Sequence, residues 1–98
     1  MTDAATEQRS AHWTFLTNHF HILVVLSREP KLRISDMAIQ VGITQRAVQR
    51  ILSELTADGV LEIEKEGRRN IYTINREKRL RHSLEGQHCI GSLLDILS

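Results

Sequence analysis

The tightest constraint in this 98-residue chain is a three-residue junction, Gly42-Ile43-Thr44, where a helix-ending residue is followed almost at once by a helix-starting one. Glycine accepts the left-handed conformation that closes a last turn, and a threonine hydroxyl accepts a hydrogen bond from a free N–H of a first turn. With one residue between them there is no room for a strand, so two helices must meet at a corner. Ser35 reads as the N-cap of the first, which runs from Asp36 to about Val41, with Asp36 in its first turn and Ile34 and Ile39 at the positions of a hydrophobic staple. Thr44 caps the second, which runs to about Asp58; Ile43 and Val48 form its staple and Gly59 its stop.

The second helix has two distinct faces. Val48, Ile51, Leu52 and Leu55 recur at i, i+3, i+4 and i+7 and mark a core-facing stripe. At about 100° per residue, Arg46, Arg50 and Ser53 point away from that stripe, with Gln49 on its flank and Gln45 in the first turn.

The rest of the chain divides by period. From residue 10 to 28, Trp13, Leu16, Phe20, Leu23 and Val24 follow helical spacing, while Phe15, Ile22, Val25 and Leu26 fill much of the remaining circumference. Such a helix is either the centre of the core or covered on one side by a second chain; its β-branched end leaves a strand as the lesser alternative. Glu29 and Pro30 end it, and Lys31 to Ile34 is short enough to be an edge strand. Beyond Gly59 the period changes to two. Leu61 and Ile63 alternate with Glu62 and Glu64, and the alternation resumes at Tyr72 and Ile74, so residues 60–75 read as a β-hairpin whose tip, 65–70, is basic. Arg76 to His82 reads as a solvated basic connector, and residues 83–97 as a last helix with a stripe of Ile90, Leu93, Leu94 and Leu97.

Charge is distributed unevenly. The net formal charge is +1, yet residues 31–82 carry eleven Lys and Arg against seven Asp and Glu, while both ends are acidic. A basic block inside a nearly neutral chain fits a polyanionic partner, and a solvated surface accounts for it as well. Cys89 is the sole cysteine, which rules out an intramolecular disulfide; with no secretory pattern at the N-terminus, a reducing, cytoplasmic setting is expected. The longest wholly apolar run, Ile22 to Leu26, is far short of the roughly 20 residues of a membrane span, so no membrane anchor is expected. His12, His19, His21, His82 and His88 with Cys89 do not fall into a recognised ligand spacing. No metal or other cofactor is expected. Neither a nucleophile triad, a glycine-rich phosphate loop nor a His-Glu-x-x-His helix is visible, and the chain is read as not an enzyme.

Helix, short strand, helix, glycine turn, helix and hairpin in that order describe a single mainly α domain with a small β-hairpin (α+β), a winged helix-turn-helix. The segment Ile34 to Leu61, ISDMAIQVGITQRAVQRILSELTADGVL, resembles the helix-turn-helix of MarR-like and ArsR-like bacterial repressors, and the hairpin through Ile74 resembles their wing. The resemblance covers residues 34–74 and implies a transcriptional regulator that binds double-stranded DNA. A major groove about 12 Å wide admits one helix, and Gln45, Arg46 and Gln49 would lie nearest the bases, since Arg pairs with guanine and Gln with adenine. Arg50 would reach a base or a phosphate. Ser35 and Thr44, at the helix starts, suit phosphate oxygens. Arg68 and Arg69 match the wing position that touches backbone or minor groove, with Lys65 and Asn70 beside them. The paired cysteines of metal-sensing relatives are absent, because Asp36 to Val41 holds no thiol.

Apolar surface at both ends exceeds what one small fold covers, which predicts a homodimer built from the first and last helices through Trp13, Phe15, Ile22, Leu26, Ile90, Leu93, Leu94 and Leu97. Two copies would set two recognition helices about 34 to 36 Å apart, matching a palindromic operator. The residues do not identify a small-molecule effector. The alternative function is a winged-helix protein-interaction module without DNA readout, since Glu62, Glu64 and Glu66 dilute the charge of the wing.

Overall fold

Helix α1, Asn18–Arg28, lies at the centre of the fold, packed against helices α2 (Ile34–Val41), α3 (Gln45–Ala57) and α4 (Ile90–Leu97) and against the hairpin strand β2 (Arg69–Ile74). These elements, with strand β1 (Leu61–Glu66), come from a computed structural model that describes residues 13–97. The broad apolar girth of α1 is thereby explained: Phe20, Ile22, Leu23, Val25 and Leu26 are all buried within the protomer. Of the three readings open for this segment, the central core helix is the one observed. It begins at residue 18, not 10. Thr17 occupies the N-cap position in an extended conformation, and Trp13 and Phe15 precede the helix as an exposed edge-to-face pair with ring centroids 5.0 Å apart. Residues 10–12 lie outside the described residues.

Helix α2 departs instructively from its expected start. It begins at Ile34, with Arg33 in the cap position and no side-chain cap, so Ser35 lies inside the helix and caps nothing. Starting there aligns Ile34, Met37, Ala38 and Val41 at i, i+3, i+4 and i+7, with Met37 and Ala38 buried and Ile34 and Val41 packed against the core. Burying this stripe outweighs a cap worth about 1 kcal/mol. Ile39, the expected staple residue, is 78% exposed. The other boundaries of the helix-turn-helix fall as expected. Gly42 (φ +86) closes α2, donating its N–H to the Ala38 carbonyl, and Thr44 Oγ1 accepts the Ala47 N–H at 3.0 Å to open α3. Val48, Ile51, Leu52 and Leu55 form the buried face of α3, and Gly59 (φ +79) follows its end.

The two strands pair antiparallel, with Leu61 opposite Ile74 and Ile63 opposite Tyr72, around a two-residue turn, Gly67-Arg68. Leu61 and Tyr72 anchor the hairpin base in the core. Lys31 to Ile34 is not a strand. One vestige of sheet pairing remains on that side, the Tyr72 N–H donated to the Pro30 carbonyl at 3.0 Å.

The chain after β2 is more ordered than a solvated connector. Gly91 N–H donates to the Arg76 carbonyl (2.8 Å), Ile90 N–H to Lys78 (2.9 Å) and Leu80 N–H to His88 (3.0 Å). These ties hold residues 76–80 against 88–91, with Arg79 and Cys89 bridged antiparallel, so 83–88 form turns and bends and α4 starts at Ile90, not Ser83. The Arg76 guanidinium adds bonds to the Gly91 carbonyl (3.1 Å) and Asp95 (2.5 Å). Half of the apolar stripe of α4 is covered by the chain itself: Ile90 and Leu94 are buried. Burial therefore removes Ile22, Leu26, Ile90 and Leu94 from any surface offered to a second chain. Trp13, Phe15 and Leu97 are exposed and Leu93 is half-buried; Leu84 and Ile96, which the pattern did not single out, are exposed beside them in sequence. Among the described residues no helix is long and apolar enough to cross a membrane.

Candidate nucleic-acid interface

The outward face of α3 is as polar as its spacing implies. Gln45, Arg46, Gln49, Arg50 and Ser53 are all exposed, while the four aliphatic residues behind them are buried. The cap at Thr44 and the packing of Val48 and Ile51 fix the orientation of this face, because both act within the first two turns. Arg46 and Gln49 make no side-chain hydrogen bond among the described residues. Arg50 is partly engaged: its Nη1 lies 3.4 Å from a Glu54 carboxylate oxygen, and the other oxygen of Glu54 meets His19 Nε2 of α1 at 2.6 Å. The His19 hydrogen bond, aided by the Arg50 charge, holds the Glu54 carboxyl below its ordinary pKa.

The hairpin presents a different arrangement. Lys65 and Arg68 are exposed, but Arg69 and Asn70 are half-buried and folded back. Arg69 Nη2 donates to the Lys31 carbonyl at 2.8 Å, and Asn70 Nδ2 to the Tyr72 hydroxyl at 3.4 Å. Glu66, at the end of β1, pairs with the Lys31 ammonium at 2.7 Å, and this contact lowers its carboxyl pKa. Ser35 is half-buried in the first turn of α2; Thr44 is exposed with its hydroxyl spent on the cap.

Two residues absent from the sequence-derived set, Lys31 and Arg33, border the candidate surface. Between the 31–33 turn and the wing tip lies a cleft of about 220 Å³, lined by Lys31, Leu32, Arg33, Ile34, Arg68, Arg69, Asn70 and Tyr72. Four of the eight are cations and none is an acid. Lys31 and Arg33 were legible as part of the basic block, but nothing local in the sequence shows that residue 33 faces residue 68 across a cleft. Ile34, Asn70 and Tyr72 also line an adjoining groove of about 480 Å³ that contains Gln49, Ser53 and Ile63. The polar face of α3 and the cationic cleft are thus parts of one continuous surface.

Other candidate chemistry is sparse. Among the described residues, which exclude His12, no three His, Cys, Asp or Glu side chains are grouped closely enough to hold a metal ion. Cys89 is half-buried, and its thiol pKa is lowered by hydrogen bonding to Ser92, whose Oγ is 3.3 Å away.

Comparison with known proteins agrees with this architecture. Residues 19–83, about two-thirds of the chain, match the Crp-like helix-turn-helix domain family. The fold is similar to that of a predicted DNA-binding transcriptional regulator from E. coli, with a TM-score of 0.61 and 17% identity over 98% of this chain and 92% of that one. At that identity the likeness concerns the fold alone. A second solved structure, the zinc-dependent MarR family transcriptional regulator AdcR in its Zn(II)-bound state, is 28% identical over 63% of this chain and 44% of its own length, with a TM-score of 0.48. No curated protein matches the chain by sequence. The winged helix-turn-helix reading stands, and over its helix-turn-helix and wing the chain belongs to the Crp-like helix-turn-helix family.

Proposed function

We propose that this protein is a sequence-specific double-stranded DNA-binding regulator of the repressor type, acting in the cytoplasm as a homodimer on a palindromic operator. The observation that carries this reading is the division of α3 into a buried aliphatic face and an exposed face of Gln45, Arg46, Gln49 and Arg50. An anchored helix with long, unspent donors is what base readout in a major groove requires. Arg46 and Gln49 are free to meet base edges; Arg50 must first share or leave Glu54. Arg68, with Lys65 beside it, would lie along the backbone, whereas Asn70 and one donor of Arg69 are spent on scaffold contacts that support the wing. Membership in a family of helix-turn-helix domains favours binding over catalysis. The dimer contact is the apolar surface left over after folding: Trp13, Phe15, Leu93 and Leu97, with Leu84 lining the same groove of about 400 Å³ as Phe15 and Leu93. Selection of bound fragments from random duplex DNA tests the proposal. An enriched palindrome is the expected result, and Arg46→Ala should relax preference at one base pair by about 1–3 kcal/mol.

The exposed acidic residues of β1, Glu62 and Glu64, favour a second reading, a protein-interaction module. Salt separates the two. A DNA binder loses affinity steeply as salt rises, in proportion to the phosphates neutralised; failure to bind any duplex, with Arg46→Ala silent, would leave the interaction module.

A further inference from the structure

We infer that the cleft between the 31–33 turn and the wing tip is a phosphodiester site, with Arg33 and Lys31 as DNA-backbone contacts and Glu66 as a built-in competitor for the phosphate. The inference rests on the DNA-binding reading and names where on this chain one phosphate of the duplex would sit. Lys31, Arg33, Arg68 and Arg69 converge there with no carboxylate in the lining. Gathering four like charges has an electrostatic cost that the Glu66 carboxylate on Lys31 offsets only in part, and an anion in the cleft relieves the rest. At about 220 Å³ the space is below the roughly 300–1,000 Å³ of pockets that enclose drug-sized molecules, which suits a compact anionic group on a larger, outlying body.

The four cations differ in readiness. The side chains of Arg33 and Arg68 have no hydrogen-bond or ion-pair partner among the described residues. Arg69 spends one donor on the Lys31 carbonyl, which fixes the guanidinium at the cleft and leaves further N–H groups for an anion. Lys31 is bound to Glu66 at 2.7 Å, but both side chains are at least half exposed, and an ion pair so solvated contributes little. A phosphate oxygen can replace the Glu66 carboxylate at small cost, so this contact is an exchangeable latch. Continuity decides the source of the phosphate. Because Ile34, Asn70 and Tyr72 line both this cleft and the groove holding Gln49 and Ser53, an anion here is adjacent to whatever α3 reads.

The test is fluorescence anisotropy of the full chain with a labelled mixed-sequence duplex across a salt series, using wild type, Arg33→Gln and Glu66→Gln, with inorganic phosphate as a competing probe. Arg33 is exposed and its side chain caps nothing, so Arg33→Gln should keep the wild-type melting profile. Arg33→Gln should weaken binding several-fold on every sequence and reduce the slope of log K against log salt by about 0.9. Glu66→Gln should tighten binding at fixed salt. If wild type binds with a steep salt slope while Arg33→Gln leaves affinity and slope unchanged, the cleft assignment is overturned and the DNA reading survives. If no duplex binds, both fall. Protection by inorganic phosphate that Arg33→Gln abolishes, without duplex affinity, would likewise overturn the assignment by making the site one for a free anion.

Discussion

Helix α3 and the hairpin are held to the same core by opposite means. The helix is fastened along its length by Val48, Ile51, Leu52 and Leu55, so its outward side chains inherit the rigidity of a packed interior. The hairpin is fastened at its base by Leu61 and Tyr72, while its distal half rests on the Lys31–Glu66 pair and the Arg69 bond to Lys31. Under the proposed function the difference would suit two tasks, since base readout demands closely placed donors, whereas a contact with repeating phosphates tolerates a tip that adjusts.

The sharpest way to break this contrast is to cut the same group from each side. Ile51→Ala removes a fully buried side chain from α3 and should destabilise the fold by about 2–5 kcal/mol. Ile63→Ala, on a hairpin residue already 39% exposed, should cost about 1 kcal/mol or less. Urea unfolding followed by circular dichroism measures both. Equal losses would mean that the hairpin is as firmly packed as the helix.

The base of the hairpin offers a second test, one in which the expected sign runs against intuition. Gly91 lies in α4, where replacement by alanine would ordinarily stabilise a helix by about 0.5–1 kcal/mol. A Cβ there would come within 2.9 Å of the Arg76 Cβ and 3.0 Å of the Arg76 carbonyl oxygen, just beyond β2. Neither atom is a flexible chain end, so Gly91→Ala should destabilise by about 1–3 kcal/mol, read as a lowered Tm. A raised Tm would show that α4 and the segment leaving the hairpin are loosely joined.

Comparing the two helix starts gives a smaller effect and shows what a sequence can and cannot disclose. Thr44→Ala should cost about 1 kcal/mol, because the hydroxyl meets the Ala47 N–H; Ser35→Ala should cost almost nothing, because that hydroxyl caps nothing. Ser35 and Thr44 look alike as letters. What separates them is that one more turn-spaced apolar residue, Ile34, was available to extend α2 backwards, a competition decided by tertiary burial. The same limit explains the ends of the chain. The apolar stripes of α1 and α4 were legible, but that each helps cover the other is a fact of packing, so Ile22, Leu26, Ile90 and Leu94 pointed to a second chain although they are buried within this one. The α3 face was fully legible because a helix fixes its own angular order. The cleft was not, since Arg33 and Arg68 are 35 positions apart and meet only through the fold.

The smallest effect concerns the flank of α3, where Glu54 joins His19 of α1 to Arg50. The His19 hydrogen bond, with Arg50 behind it, lowers the Glu54 pKa in the folded state. A carboxyl whose folded value lies below its unfolded value stabilises the fold above the ordinary carboxylate pKa, about 4.3, and that contribution is lost as pH falls through the folded value. Glu54→Gln should therefore lower Tm slightly at pH 6, with the gap from wild type closing below pH ~4. The same substitution releases Arg50, so duplex affinity should rise at pH 7 even as stability falls. Opposite movement of the two readouts is what a residue restraining a DNA-facing arginine must produce; a parallel loss would place Glu54 among the supports of the helix, and α3 would then be fastened on its exposed side as well as its buried one.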